Sequence, residues 1–168
     1  MRYIIALLAT APNLFIQESQ RLFAPIAQDY ILSEHSLPHI TLAQCYTDDT
    51  KTLDALWHSL QNENSALPEP AFLGIGFTKK NHNLWNCSLT VERNPELVIL
   101  HKQVVELLQE HGLACISPSN ELYRPHLTLA KIKQIPAMEP DAALFNETGF
   151  RLAIGLSDEH GQFLKQVY

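Results

Sequence analysis

One six-residue phrase occurs twice in the chain. Pro38-His39-Ile40-Thr41-Leu42-Ala43 returns as Pro125-His126-Leu127-Thr128-Leu129-Ala130, with a single aliphatic exchange between them. Residues two apart on a β-strand point to the same face. Each phrase therefore predicts a half-buried strand that presents one imidazole and one hydroxyl together and turns aliphatic residues the other way. The copies lie about half the chain apart, and only this phrase repeats closely, so the expectation is two similar halves and not a repeat array.

The surroundings of the two phrases echo each other. Residues 2–9 and 83–91 read as strands, each followed by a helix and then by a His-Thr strand, 39–45 and 126–132. Asn13 is placed to cap the first helix, whose apolar spacing runs to about Ile31, with Pro25 predicting a kink or break inside it. A second helix starts at Asp48-Asp49-Thr50 and carries Leu53, Leu56, Trp57 and Leu60. A third runs from Pro95 to about His111 and is ended by Gly112. Strands 71–78 and 83–91 form a hairpin turned by Lys79-Lys80-Asn81-His82, and 148–155 and 162–167 form a last pair. These elements predict an α+β fold: a bilobal, pseudo-two-fold arrangement of two small, mainly antiparallel sheets backed by helices, with a central cleft. One domain is expected to span residues 1–168.

A chain of 168 residues can bury a core without staples. Its net charge of −6 with histidines neutral argues against a surface that grips long nucleic acid, but leaves room for a local positive patch on a nucleotide or an RNA end. Cys45, Cys87 and Cys115 are odd in number and far apart. They make neither a disulfide framework nor a zinc site and suit a reduced, cytoplasmic setting. The apolar run from Tyr3 to Ala11 follows a charged region of one residue and meets Pro12, which favours a buried first strand over a signal peptide. No apolar run approaches the ~20 residues of a membrane span.

Two imidazoles facing one cleft suit acid–base chemistry on a phosphodiester. One takes the proton of the attacking oxygen and the other protonates the leaving oxygen, and histidine, with a free pKa of about 6.5, can do either. The hydroxyls of Thr41 and Thr128 are placed to donate to non-bridging phosphate oxygens, where negative charge resides in the transition state. The catalytic candidates are thus His39 and His126, the phosphate-binding candidates Thr41 and Thr128, and no metal or other cofactor is expected. His58, His101 and His111 fall on helices and are expected at the surface or partly buried. His35 and His39 are four apart, but Pro38 argues against a helical metal pair. His82, beside Lys79 and Lys80, marks a small basic turn. Trp85, Tyr123 and Phe163 are candidates to stack on a base. Gly74-Ile75-Gly76 lacks the rest of any phosphate-loop fingerprint.

Both phrases resemble the paired His-x-Thr signatures of the 2H phosphoesterase superfamily. Tyr123-Arg124-Pro125-His126-Leu127-Thr128-Leu129-Ala130-Lys131 is similar to the second motif of its bacterial and archaeal RNA 2′,3′-cyclic phosphodiesterase branch, also called 2′-5′ RNA ligases. Arg2-Tyr3-Ile4-Ile5-Ala6 resembles that branch's first strand, and Ser157-Asp158 with Gly161-Gln162-Phe163 its C-terminal strand region. The resemblance implies metal-independent opening of 2′,3′-cyclic phosphates on RNA ends or small nucleotides to 2′-phosphates. It implies His126 as base for water, His39 as acid for the 3′ oxygen, and Thr41 and Thr128 on the phosphate. Lys131, Tyr123 and Phe163 become substrate-binding candidates. The branch commonly has Arg where this chain has Lys131, which supplies a point charge without a bidentate fork. Gln44-Cys45-Tyr46 also departs from the branch's ending of the first motif. The expected partners are RNA ends or cyclic nucleotides, met by a monomer away from any membrane. Two alternatives use the same cleft: a nucleotide or RNA-end binding protein without turnover, and reversible 2′-5′ RNA ligation.

Overall fold

Apolar residues at every position from Tyr3 to Ala9 require a strand covered on both faces, and β1 (Arg2–Ala9) is buried from Tyr3 onward. The computed structural model describes residues 1–62, 66–79 and 83–168. After β1 come α1 (Pro12–Phe23), β2 (Ala27–Ile31), β3 (His39–Tyr46), α2 (Thr50–Asn62), β4 (Phe72–Lys79), β5 (Trp85–Val91), α3 (Pro95–Glu110), β6 (His126–Ile132), β7 (Phe150–Ser157) and β8 (Phe163–Gln166). Two four-stranded antiparallel sheets result, in the orders β3-β1-β7-β8 and β2-β6-β5-β4. The fold is α+β, with the expected pseudo-symmetry: β3, β1 and β7 of the first sheet answer to β6, β5 and β4 of the second.

The first helix departs from expectation. Its N-cap is Ala11 with Pro12 in the first turn, so Asn13 lies inside the helix. It stops at Phe23, because Pro25 has no N–H to donate and its ring clashes with the preceding turn. The apolar residues beyond it belong to β2, an edge strand that pairs with β6 through Ala27–Ile132 and Ile31–Ala130. Asp29 between them takes φ 64°, a bulge conformation that helical periodicity cannot announce. α3 begins at Asn94, whose side chain accepts from Leu97 N–H (2.8 Å), and ends before Gly112 at φ 70°. The hairpin residues Lys80, Asn81 and His82 lie outside the described residues.

The main core joins the inner faces of both sheets to the helices. Tyr3, Ile5 and Leu7 of β1 and Leu89 and Val91 of β5 meet Leu53, Leu56, Leu97 and Val104 there. On the other face of β1, Ile4, Ala6 and Leu8 are covered by a small separate cluster with Ala153, Phe163 and Leu37. Each half sends its helix behind the motif strand of the other: α1 packs on β6, and α3 packs on β3. No described helix is long and apolar enough to cross a membrane.

Candidate active site

β3 and β6 carry the two repeated phrases, and their pairings match. In the first sheet His39 lies opposite Leu8, and Thr41 opposite Ala6. The next matched pair is Ala43 with Ile5, so Leu42 is left over. In the second sheet His126 lies opposite Thr90, and Thr128 opposite Ser88. The next is Ala130 with Cys87, so Leu129 is left over. Each phrase thus holds a β-bulge at its second leucine, immediately after the threonine. A bulge switches which face the following residues point to. Gln44 and Lys131, three residues after their threonines, therefore join the histidine and threonine on the cleft side.

The bulge carbonyls bond outside the strand ladders. His101 on α3 donates Nδ1–H to Leu42 O (2.7 Å), and Ser19 on α1 donates its hydroxyl to Leu129 O (2.8 Å). Leu129 O also receives Leu32 N–H (2.8 Å). The expectation for His101 is corrected here: it is not at the surface but 1% exposed, because a buried carbonyl needs its donor.

The two motif histidines are held alike. His39 Nδ1–H donates to Leu37 O and His126 Nδ1–H to Arg124 O, each at 2.8 Å and each two residues back. A carbonyl only accepts, so both rings hold their proton on Nδ1 and offer Nε2 for proton transfer. Both side chains, with Thr41 and Thr128, line one cleft of about 920 Å³ between the halves. Their surroundings differ. His126 is exposed, whereas His39 is 7% exposed, its ring 5.6 Å from that of Phe163. Burial pushes His39 down from 6.5 to about 4, and the neighbouring His126 adds to this, while hydrogen bonding to Leu37 and Gly161 opposes it. The loop beside His39 is tied by Asp158 Oδ1, which accepts from His160 N–H and Gln162 N–H (both 2.9 Å). Gly161 in this loop has φ 81°, and a Cβ there would stand 2.9 Å from Gln44 Nε2.

The other substrate candidates separate. Lys131 lines the cleft. Tyr123 also lines it but is almost covered, stacked on His101 and donating its hydroxyl to Thr41 O (3.1 Å). Phe163 does not reach the cleft. It is fully buried against Ile4, Ala6 and Leu8, so it has no open face for a base: the apolar side of β1 needs a cover, and Phe163 supplies it. Trp85 lies outside the cleft lining, with Lys79 over its ring at 5.9 Å.

Sequence reasoning missed Arg2, Gln44, Asn86, Ser88 and Thr90, all in the cleft wall. Three of them had a signal: in β5, polar Asn86, Ser88 and Thr90 alternate with apolar Cys87, Leu89 and Val91. Gln44 and Arg2 had none, because Gln44 reaches the cleft through the bulge and Arg2 through its bond to Gln44 Oε1.

No family model matches the chain, and no curated protein matches it significantly. Solved structures do match its fold. A structure described as a phosphoesterase aligns with TM-score 0.63 and 15% identity, over 99% of this chain and 95% of that one. The fold is that of the 2H phosphoesterases. E. coli LigT complexed with 3′-AMP aligns with TM-score 0.62 and 16% identity, over 94% of this chain and 88% of LigT. The PDE domain of MHV ns2 aligns with TM-score 0.56 and 14% identity, over 99% of both chains. In this fold each repeated phrase sits on a strand that lines the cleft.

Proposed function

We propose that this chain is a metal-independent phosphodiesterase that opens 2′,3′-cyclic phosphates, on RNA ends or small nucleotides, to 2′-phosphates. The observation that carries the reading is the matched pair of His-x-Thr triplets, identical in register, bulge and histidine tautomer, lining one cleft. The charge of the cleft agrees: among the described residues Arg2, Arg124 and Lys131 line it against one carboxylate, Asp29, in a chain of net charge −6. The neighbours described as a phosphoesterase, as a PDE domain and as LigT holding 3′-AMP point the same way.

In this reading the hydroxyls of Thr41 and Thr128 donate to the non-bridging oxygens. His126 Nε2 takes a proton from a water that attacks phosphorus in line with the 3′ oxygen. The P–O3′ bond breaks, and protonated His39 gives its Nε2 proton to the departing 3′ oxygen, leaving a 2′-phosphate and a 3′-hydroxyl. His39 is neutral in the empty cleft. The negative charge of the bound phosphate favours its protonated form, so His39 gains its proton together with the substrate. The reading goes with a reduced, cytoplasmic setting for the free cysteines and with a monomer.

The test is incubation with each 2′,3′-cyclic nucleotide in EDTA. A 2′-phosphate product is expected, and His39→Ala or His126→Ala should each lower the rate at least ~100-fold. Full activity in both variants would falsify the proposal.

A further inference from the structure

The register of the second sheet sorts its cleft face into three transverse rows. His126, Thr90 and Gly74 form the first, and Thr128, Ser88 and Gly76 the second. Lys131, Asn86 and Thr78 form the third. The first two rows hold the catalytic candidate and the phosphate-binding threonine. The third lies two residues of β5 further along, about 7 Å. It combines an ammonium, an amide and a hydroxyl.

None of these three side chains has a hydrogen-bond or ion-pair partner within the chain among the described residues. Asn86 is the informative one: it is 8% exposed, lines the cleft, and leaves its amide unanswered. Its amide atoms open onto the cleft, so a ligand there meets donor and acceptor groups for which no described group of the chain competes. Asp29, the one carboxylate in the cleft wall among the described residues, makes no ion pair with Lys131. Across the cleft stands Gln44, the pseudo-symmetric counterpart of Lys131, with Arg2 bonded to it. Two cations, Lys131 and Arg2, thus line the cleft beyond the histidine and threonine rows.

The pseudo-symmetry breaks in the direction this requires. The residues of β1 that answer to Thr90, Ser88 and Asn86 are Leu8, Ala6 and Ile4, which lie under Phe163 and Leu37. Among the described residues, only the second sheet continues its polar cleft face from the motif strand onto the neighbouring strand.

Resting on the reading under Proposed function, we infer that the Lys131–Asn86–Thr78 row is a second phosphate subsite, which takes the phosphate on the 5′ oxygen of the nucleotide whose 2′,3′-cyclic phosphate is opened. That group is an internucleotide phosphodiester in an RNA end and a terminal phosphate in a small nucleotide. Both have the same acceptor oxygens and negative charge, separated from the cyclic phosphate by one ribose.

The experiment compares kcat/KM on four substrates: adenosine 2′,3′-cyclic phosphate, its 5′-phosphorylated form, the dinucleotide ApA 2′,3′-cyclic phosphate, and the same dinucleotide with an uncharged methylphosphonate linkage. A charged 5′ group is expected to raise kcat/KM at least ~10-fold, mostly through KM. The methylphosphonate should lose that gain. In Lys131→Gln and Asn86→Ala the ratio of charged to uncharged substrate should fall toward one, whatever the absolute rates. A gain on both charged substrates supports a site for phosphate from either source. A gain on the dinucleotide alone supports the RNA-end source, and a gain on the 5′-phosphorylated nucleotide alone the small-nucleotide source. Equal kcat/KM on all four in the unmodified protein overturns the subsite and leaves the phosphodiesterase reading standing. No opening of any of them overturns that reading itself.

Discussion

The ring of His101 lies flat on the ring of Tyr123, centroids 3.8 Å apart and planes 2° from parallel. Together they hold β3 from the other half of the chain: His101 through Leu42 O, Tyr123 through Thr41 O. Burial lowers the pKa of His101 and keeps the ring neutral, so that Nε2 accepts from Asn120 N–H (3.3 Å) while Nδ1–H donates. The backbone carrying His39 and Thr41 is thereby fixed to the segment that leads into His126.

Removing that hold should cost more in one half than in the other. His101→Phe keeps a stackable ring but leaves Leu42 O without its donor, at about 1–3 kcal/mol. Ser19→Ala removes the equivalent donor at Leu129 O, which still has Leu32 N–H, and should cost about 1 kcal/mol or less. Urea unfolding of the two variants measures the difference. A Ser19→Ala protein less stable than His101→Phe would contradict the account.

Thr41→Val and Thr128→Val keep the shape of the side chain and remove the hydroxyl. If those hydroxyls serve the transition state, each variant loses about 100-fold in kcat while KM changes far less. Single-turnover kinetics separates this from a loss of binding.

His39 ties anion binding to protons. Its folded pKa of about 4 lies below the ordinary 6.5, so the unfolded chain binds this proton first as pH falls. Its contribution to stability is whole above pH 6.5 and is lost as pH falls toward 4, with a total on the order of 3 kcal/mol. A phosphate analogue in the cleft raises that pKa, so binding takes up a proton and should tighten between pH 7 and 5. Calorimetry in two buffers of different ionisation enthalpy counts the proton. Equal heats in both, and equal affinity across that range, would refute the linkage.

Gly155 on β7 lets Phe163 close over β1. A Cβ at this position would stand 2.4 Å from the Phe163 ring and 2.7 Å from Lys165 O. Gly155→Ala is expected to destabilise the protein by about 1–3 kcal/mol. It should also loosen the Phe163 packing on His39, seen as a rise of the His39 pKa toward 6.5 in an NMR titration.

The pattern of strands and helices was legible where one period ran unbroken. α3 lies where helical spacing placed it, because burial on one face dictates that spacing, and β1 lies where its unbroken apolar run placed it, because both of its faces are covered. β2 was not legible: five residues after a proline continue the helical spacing by chance, and only pairing with β6 makes them a strand. Phe163 shows the limit for sites. Its chemistry permits stacking on a base, but the uncovered apolar face of β1 decides its use.

The sequence alone determined which residues repeat and therefore which pair of imidazoles and hydroxyls points the same way within each strand. That follows from local stereochemistry. The tertiary structure decided the rest: the bulges at Leu42 and Leu129 that turn Gln44 and Lys131 into the cleft, the burial that separates His39 from His126, and the polar cleft face that, among the described residues, only the second sheet continues onto a neighbouring strand. Each of these depends on what packs against a residue from a distant part of the chain, and no local spacing encodes that.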